Sequence, residues 1–334
     1  MASCGAAYPC TSGLAGTAGG QHRLQRLNSL VWNRAMSLNV QQFEEHRTLL
    51  FGIAYRMLGS ASEAEDAVQD TYLRAIATGT EEIRSPRAFL ATVVTRLCLD
   101  RLKTARTRHE EYIGPYLPEP VLLQPSSGAG EDEVEREEAV SMAMLVLMEQ
   151  LSAVERAVFL LHGVFEFPFD EIGAMIGRSA AACRQAYHRA RGHLDAQRPR
   201  FRVAAEQQRR LVDDFLRAAR DGDLARLTSL LSEQAVYVSD GGGEVAAALR
   251  PVHGASNVAR LMLGLTKRAL EPDRSAIRFA REWINGEPGL LVWEEDQLTN
   301  AIIFTCSHSD ITAINTVRNP AKLRHLAASI TPPE

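Results

Sequence analysis

The 334-residue sequence has little net charge: 37 lysines and arginines stand against 41 acids, a formal charge of −4, so the chain as a whole exerts no electrostatic pull on nucleic acid. Cysteine is scarce as well. Cys4, Cys10, Cys98, Cys183 and Cys306 are odd in number, far apart and without C-x-x-C spacing. This excludes a disulfide framework and a zinc-finger set, and fits a reducing cytoplasm. No apolar run approaches the roughly 18 residues that cross a bilayer. The longest, Ala139 to Met148, is interrupted by Ser141 and reads as a buried helix, so no membrane association is expected. Phosphate-loop, dinucleotide-binding, zinc-protease and nucleophile-elbow motifs are all missing. No cofactor and no metal site is expected.

What is present is enough for packed cores: 46% of residues are hydrophobic, and the length predicts two or three domains. Charge is segregated along the chain. From Arg178 to Arg210 there are nine arginines against Asp195 and Glu206, whereas Leu211 to Glu334 carries 13 basic residues against 16 acidic. One stretch is suited to an anion and the rest is not. At the start, a Gly/Ala/Ser-rich tract precedes Arg23 and Arg26, the reverse of a secretory signal. Residues 1–36 are expected to form a disordered tail, with Met36 a possible true start.

Apolar spacing predicts an amphipathic helix from Val40 to Leu58, stopped by Gly59. Ser62-Glu63-Ala64-Glu65 reads as a capping box opening a second helix with Ala64, Ala67, Val68, Thr71, Ala75 and Ile76 along one side. Ser85-Pro86 caps a third. Residues 107–130 are rich in proline and glycine and read as a linker without regular structure. Four short helices are expected next: Glu131 to Gln150, one opened by Ser152-Ala153-Val154-Glu155, Phe169 to Ile176, and one capped by Ser179. After about Arg200 the pattern becomes mixed: helices over Val203–Arg220, Leu224–Leu231 and Ser256–Lys267, a strand at Ala235–Val238, a hairpin at Asn285-Gly286, and strands at Ala301–Cys306 and Ile311–Val317. A curved antiparallel sheet behind helices makes an α+β domain.

Phe169 to Leu194 carries the sharpest signal: a helix, a turn through Gly177, and a second helix whose Ala182, Ala186 and Ala190 permit close approach. That is helix-turn-helix grammar. Arg184 and His188, and Gln185 and Arg189, form two polar rows on the second helix. Such a helix enters a major groove, where arginine reads guanine and glutamine reads adenine. An arginine-rich helix that is merely solvated is the plainer alternative; the coincidence of turn, cap and basic excess favours the first.

Ala64-Glu65-Asp66-Ala67-Val68-Gln69-Asp70-Thr71-Tyr72-Leu73-Arg74-Ala75 resembles the segment by which bacterial sigma factors of the extracytoplasmic-function (ECF) type bind core RNA polymerase. Ser85 to Leu90, with Thr95 to Leu102, resembles the same family's −10 recognition helix. Leu151 to Arg156 and the helix-turn-helix resemble its −35-binding domain. The likeness implies a helical region 2 over 37–107, a linker over 108–134 and region 4 over 135–198. It implies that Glu65, Asp66, Gln69 and Asp70 dock on the clamp of the polymerase's largest subunit. Arg87, Thr95, Arg96, Arg101 and Lys103 would hold and read the −10 strand, and Ser179, Arg184, Gln185, His188, Arg189 and Arg191 the −35 element of promoter DNA. The basic third helix agrees with strand binding.

The C-terminal part, 203–330, resembles the SnoaL-like, NTF2-type cone that one ECF subgroup carries as an extension. Three signatures support this: Tyr116-Leu117-Pro118-Glu119-Pro120, Asp240-Gly241-Gly242-Gly243-Glu244-Val245 and Asn319-Pro320-Ala321-Lys322-Leu323. The subgroup usually has Trp, Lys and Asp where this chain has Tyr116, Glu244 and Ala321, and the missing base at Glu244 weakens any anion contact there. The three glycines suit a tight turn, or an anion-binding nest. Tyr116, Leu117, Pro118, Asp240, Gly241, Gly242, Asn319, Pro320 and Lys322 are expected to meet as an interdomain regulatory contact, making a separate anti-sigma factor possible but not required. The expected function is promoter-directed initiation without catalysis. The rival is a small-molecule-binding or cyclase-like cone, its pocket lined by Tyr237, His253, Trp283, Trp293 and His308.

Overall fold

The computed structural model describes residues 40–77, 83, 85–110, 112–124, 141–195, 203–271 and 277–333, apart from the side chains of 105–110. The expected tail at 1–36, and the helix expected to begin at Glu131, lie outside these residues as far as 140.

Three helices open the fold: α1 (Val40–Leu58), α2 (Ala61–Ala77) and α3 (Pro86–Glu110). The inward row of α1 is Phe43, Leu50, Ile53, Ala54, Met57 and Leu58, and Gly59, at φ 67°, ends it in the left-handed region. Ser60, rather than Ser62, caps α2, its Oγ accepting from the Glu63 N–H at 3.1 Å. Ser62 is drawn off by Glu119, to which it donates from both N–H and hydroxyl. Ile76 is exposed, unlike the core position the helical pattern assigned. Ser85 caps α3 as expected, accepting from the Ala88 N–H.

Next come α4 (Met142–Met148), α5 (Ala153–Phe159), one π-helical turn (Leu160–Val164), α6 (Phe169–Ile176) and α7 (Ala180–Asp195). Ser141, inside the expected helix, instead caps α4 by accepting from the Met144 N–H. Ser152 and Glu155 form the expected reciprocal capping box on α5. Between α6 and α7 the chain turns through Gly177 at φ 68°. Gly173 allows the close approach, since a Cβ there would lie 2.6 Å from the Arg178 carbonyl oxygen. The buried side chains of α1 to α7 form one continuous apolar cluster, so the two helical units share a core.

The C-terminal unit comprises α8 (Ala205–Asp221), α9 (Leu224–Ser229), β1 (Leu231–Asp240), β2 (Val252–His253), α10 (Ala255–Ala269), β3 (Ile277–Ile284), β4 (Glu287–Glu294), β5 (Gln297–Cys306), β6 (Ile311–Val317) and α11 (Pro320–Ala327). Strand order is β2-β1-β6-β5-β4-β3. The sheet is mixed, not purely antiparallel as expected: β6 leaves the β3–β6 meander to lie parallel beside β1. Asn285 and Gly286, at φ 55° and 72°, make the expected two-residue hairpin. Asn319-Pro320 opens α11, with Asn319 Oδ1 accepting from the Ala321 N–H and proline in the first turn.

Both faces of the sheet are covered. Phe215, Tyr237, Met262, Leu290, Val292 and Phe304 pack on the concave side, beneath α8 and α10. Leu291, Trp293, Ile303 and Val317 pack on the other, against Leu323 of α11 and against Leu117 and Met142 from outside the cone. Burying each of these last two stabilises the joint by about 1.5–3 kcal/mol. Residues 112–124, read as irregular, form an extended strap between the helical units and the cone, with a bridge from Leu122 to Ile284. No described helix is long and apolar enough to cross a membrane.

Candidate functional site

On α2, Asp66 and Gln69 are exposed and make no polar bond to any described residue, while Glu65 pairs with Arg47 at 3.3 Å and Asp70 with Arg101 at 2.8 Å. Arg101 also donates to the Glu63 carbonyl, so it braces α2 against α3. Leu73 and Ile76 are exposed on the same side. The face is therefore acidic at one end and apolar at the other. The spacing 66, 69, 70, 73, 76 carried that signal, but Ile76 was assigned inward.

The basic stripe of α3 is largely engaged. Arg87 donates to the Phe165 carbonyl at 2.7 Å and its guanidinium lies 4.2 Å from the centre of the Phe167 ring. Arg96 donates to the carbonyls of Met175 and Ala174 at 2.7 and 3.1 Å, the unsatisfied acceptors at the end of α6. Thr95 is fully buried, its hydroxyl without a partner among the described residues. That departs from the expected place against the −10 strand, because the inward face of α3 is apolar core. Lys103 is exposed and pairs with Asp100 at 2.8 Å.

On α7 the picture is the reverse. Arg184, Gln185, His188, Arg189 and Arg191 are all exposed. Arg184 leans over Phe169, Arg189 is held by Glu155 at 2.9 Å and Arg191 by Asp195 at 3.4 Å. Hydrogen bonds from Ser152 and Arg189 hold the Glu155 carboxyl below its ordinary range. The Ser179 hydroxyl is a cap, accepting from the Ala182 N–H.

The three interdomain signatures converge on Asp240, which is completely buried. Its Oδ1 accepts from the Tyr112 hydroxyl at 2.5 Å and the Gly242 N–H at 3.1 Å; its Oδ2 accepts from the Leu117 N–H at 2.9 Å and Lys322 Nζ at 2.7 Å. Lys322 also donates to the Leu117 carbonyl and sits 3.2 Å from the centre of the Tyr116 ring. Burial pulls the Lys322 ammonium below its ordinary range, and Asp240 opposes this. The Asp240 carbonyl accepts from the N–H groups of Arg318 and Asn319. A nest for an external anion does not form, because the carboxylate of Asp240 itself takes the Gly242 N–H. At Gly242, φ 62°, a Cβ would lie 2.2 Å from Asn319 Nδ2, so no side chain fits. Pro118 lies against Gly59, and Pro320 starts α11.

Partners of the strap that sequence reasoning missed continue this joint. Glu119 is buried against the hydroxyls of Ser60 and Ser62. Tyr55 donates to the Glu119 carbonyl at 2.7 Å and accepts from Asn285 Nδ2 at 2.6 Å, linking α1, strap and β3–β4 hairpin. Glu287 accepts from the Met142 N–H at 2.7 Å, joining β4 to the start of α4. Burial pushes its carboxyl up to about 7, and the N–H groups of Met142 and Ala143 pull it back. Buried partners 57 to 230 residues apart leave no local pattern. Of the five cone residues expected around a pocket, Tyr237 lines one, while Trp293 packs on the opposite sheet face.

Comparison with known proteins agrees with this layout. The sigma-70 region 2 family matches residues 42–108 and the sigma-70 region 4 family residues 141–194. The ECF RNA polymerase sigma factor SigJ of Mycobacterium tuberculosis is 37% identical over 232 residues, 69% of this chain and 74% of that protein. The probable ECF RNA polymerase sigma factor SigI of the same species is 30% identical over 291 residues, 85% and 94% respectively. The crystal structure of M. tuberculosis SigJ matches with a TM-score of 0.67 at 31% identity, covering 85% of this chain and 98% of that one. Helical units in this order, a mixed sheet behind them and this degree of likeness place the chain among the ECF sigma factors of RNA polymerase.

Proposed function

We propose that this sigma factor, which directs RNA polymerase to specific promoters, is held closed by contact between its two helical units, and that its cone steadies this contact through the strap. Arg87 and Arg96 carry the reading: both guanidiniums that would meet the −10 strand are bonded to carbonyls at Phe165, Ala174 and Met175. Meanwhile α7 keeps its −35 residues exposed. The acidic and apolar face of α2 is open to the clamp of the largest polymerase subunit, so docking does not require prior opening. The strap is the hinge, gripped by Asp240 and Lys322 at one end and by Tyr55 and Asn285 at the other. In this reading the cone does the work of a separate anti-sigma factor, and the protein acts beside the polymerase in the cytoplasm.

No chemistry of its own is assigned to the chain. The assignment is tested by run-off transcription with core polymerase and full-length protein. Transcripts from one start site are expected, and scrambling either the −10 or the −35 element should abolish them. Promoter-independent or absent transcripts would refute it.

A further inference from the structure

The concave face of the cone encloses a cavity of about 990 Å³ between α8, α10 and the sheet, within the size range of small-molecule sites. Leu216, Met262, Leu290, Val292, Ile302 and Phe304 make its bore apolar. The bore opens onto an apolar lip: Leu265, Leu270 and Phe279 line it and are 42, 51 and 42% exposed. Water-facing side chains of this size, gathered at one mouth, mark a binding surface rather than random exposure.

Charge at the cavity runs against that of the cone. Six arginines line it (Arg209, Arg217, Arg220, Arg268, Arg281 and Arg318) against two acids, Asp213 and Glu294, although the chain beyond Leu211 is acidic on balance. Arg281 is paired with Asp213 at 3.1 Å, Arg217 with Asp214 at 3.2 Å and Arg220 with Asp221 at 3.1 Å; Arg209 and Arg268 form no ion pair with any described residue. Inside, polar groups remain without partners. Thr316 is 3% exposed, lines the cavity, and its hydroxyl has no hydrogen-bond partner among the described residues. Arg318, just beyond the end of β6, also lines the cavity; it donates Nη1 to the Ala246 carbonyl and leaves a buried Nε unmet. Tyr237, on the neighbouring strand, shares this wall. Buried donors without acceptors are costly, and a carboxylate placed there would relieve them.

We propose that this cavity binds an amphipathic anion: a hydrocarbon chain in the bore, with a carboxylate or similar head group held by Arg318 and Thr316. A small anion alone would leave the apolar lip and bore unfilled, and a neutral hydrocarbon would leave Thr316 and Arg318 unmet.

The test uses full-length protein without polymerase, so its failure leaves the sigma assignment standing. Dodecanoate, dodecanol and butyrate are titrated by calorimetry below their aggregation limits. Dodecanoate should bind one to one, and about tenfold more tightly than dodecanol, the difference made by a hydrogen-bonded charge. Butyrate should not saturate. Arg318→Gln should remove the preference for the acid, whereas Arg226→Ala, an exposed arginine outside the cavity, should not. Because Arg318→Gln also loses the bond to Ala246, a diazirine-bearing dodecanoate gives a second readout, with cross-links expected at Met262, Leu290 or Phe304. Absence of saturable dodecanoate binding, equal affinity for acid and alcohol, or cross-links confined to other surfaces would overturn the proposal.

Discussion

Lys322 Nζ lies 2.7 Å from Asp240 Oδ2, with the two side chains only 8% and 0% exposed. The lysine comes from α11 and the aspartate from the end of β1, and the backbone between them is that of Leu117 in the strap, bonded to both. Removing one partner leaves an uncompensated buried charge. Lys322→Met should therefore destabilise the fold by about 3–5 kcal/mol, read from the urea midpoint. Adding Asp240→Asn should recover part of that loss. Strictly additive losses would show that the pair is not coupled.

The α2 face separates docking from folding. Asp66→Lys alters a residue without an internal partner, so core-polymerase affinity should fall about tenfold or more through like-charge opposition while the melting temperature stays unchanged. Asp70→Lys should weaken docking and also lower the melting temperature, because Arg101 loses its carboxylate. Fluorescence titration with core polymerase checks both; unchanged affinity for Asp66→Lys would remove α2 from the docking surface.

Two arginines of α7 should differ in kind. Arg184 lies nearer the start of the helix, where base edges are reached, and Arg189 is held sideways by Glu155. Arg184→Ala should cost about 1–3 kcal/mol at one −35 position. Arg189→Ala should weaken all sequences alike and reduce the salt slope by about one. Binding across a panel of −35 variants distinguishes them, and no effect from either would exclude α7 as the reader.

Glu287 gives the joint a pH dependence of predictable sign. Its carboxyl lies at about 7 when folded against an ordinary 4.5, so the folded protein holds the proton more tightly. This stability is complete below about pH 4.5 and falls as pH rises towards 7, by roughly 3 kcal/mol in all. The neighbouring Cys306 thiol, pushed up to about 12 by burial and by Glu287, stays neutral throughout. Glu287→Gln should flatten the urea midpoint across this window and stabilise the protein above pH 7. Parallel pH profiles for parent and variant would contradict the assignment.

Features set by a few neighbouring residues were legible in the sequence. The caps at Ser85, Ser152 and Ser179, the stop at Gly59, the turn at Gly177 and the Asn285-Gly286 hairpin each depend on local backbone chemistry. Errors arose where a distant group competes. Ser62 looks like a cap until Glu119 claims it, and Thr95 looks available on a basic helix until the core covers it. Asn319-Pro320 carries the chemistry of a turn and of a helix start alike, and only the following helix decides. Leu117, Asp240, Gly242 and Lys322 were identified as meeting, but the bond from Tyr112 to Asp240 required the strap's path. The sharing of one core by the two helical units, which engages Arg87 and Arg96, has no local sequence signal at all.

Closure of the −10 face by the end of α6 is tested most directly by hydrogen exchange of the full-length protein, alone and with core polymerase and promoter DNA. Protection at 112–124 and at 165–176 should be high in the free protein and fall on forming the complex, while 86–104 stays protected by its new contact with DNA. Transcription from the promoter with protection at 112–124 and 165–176 unchanged would contradict the closed state as an inhibited one.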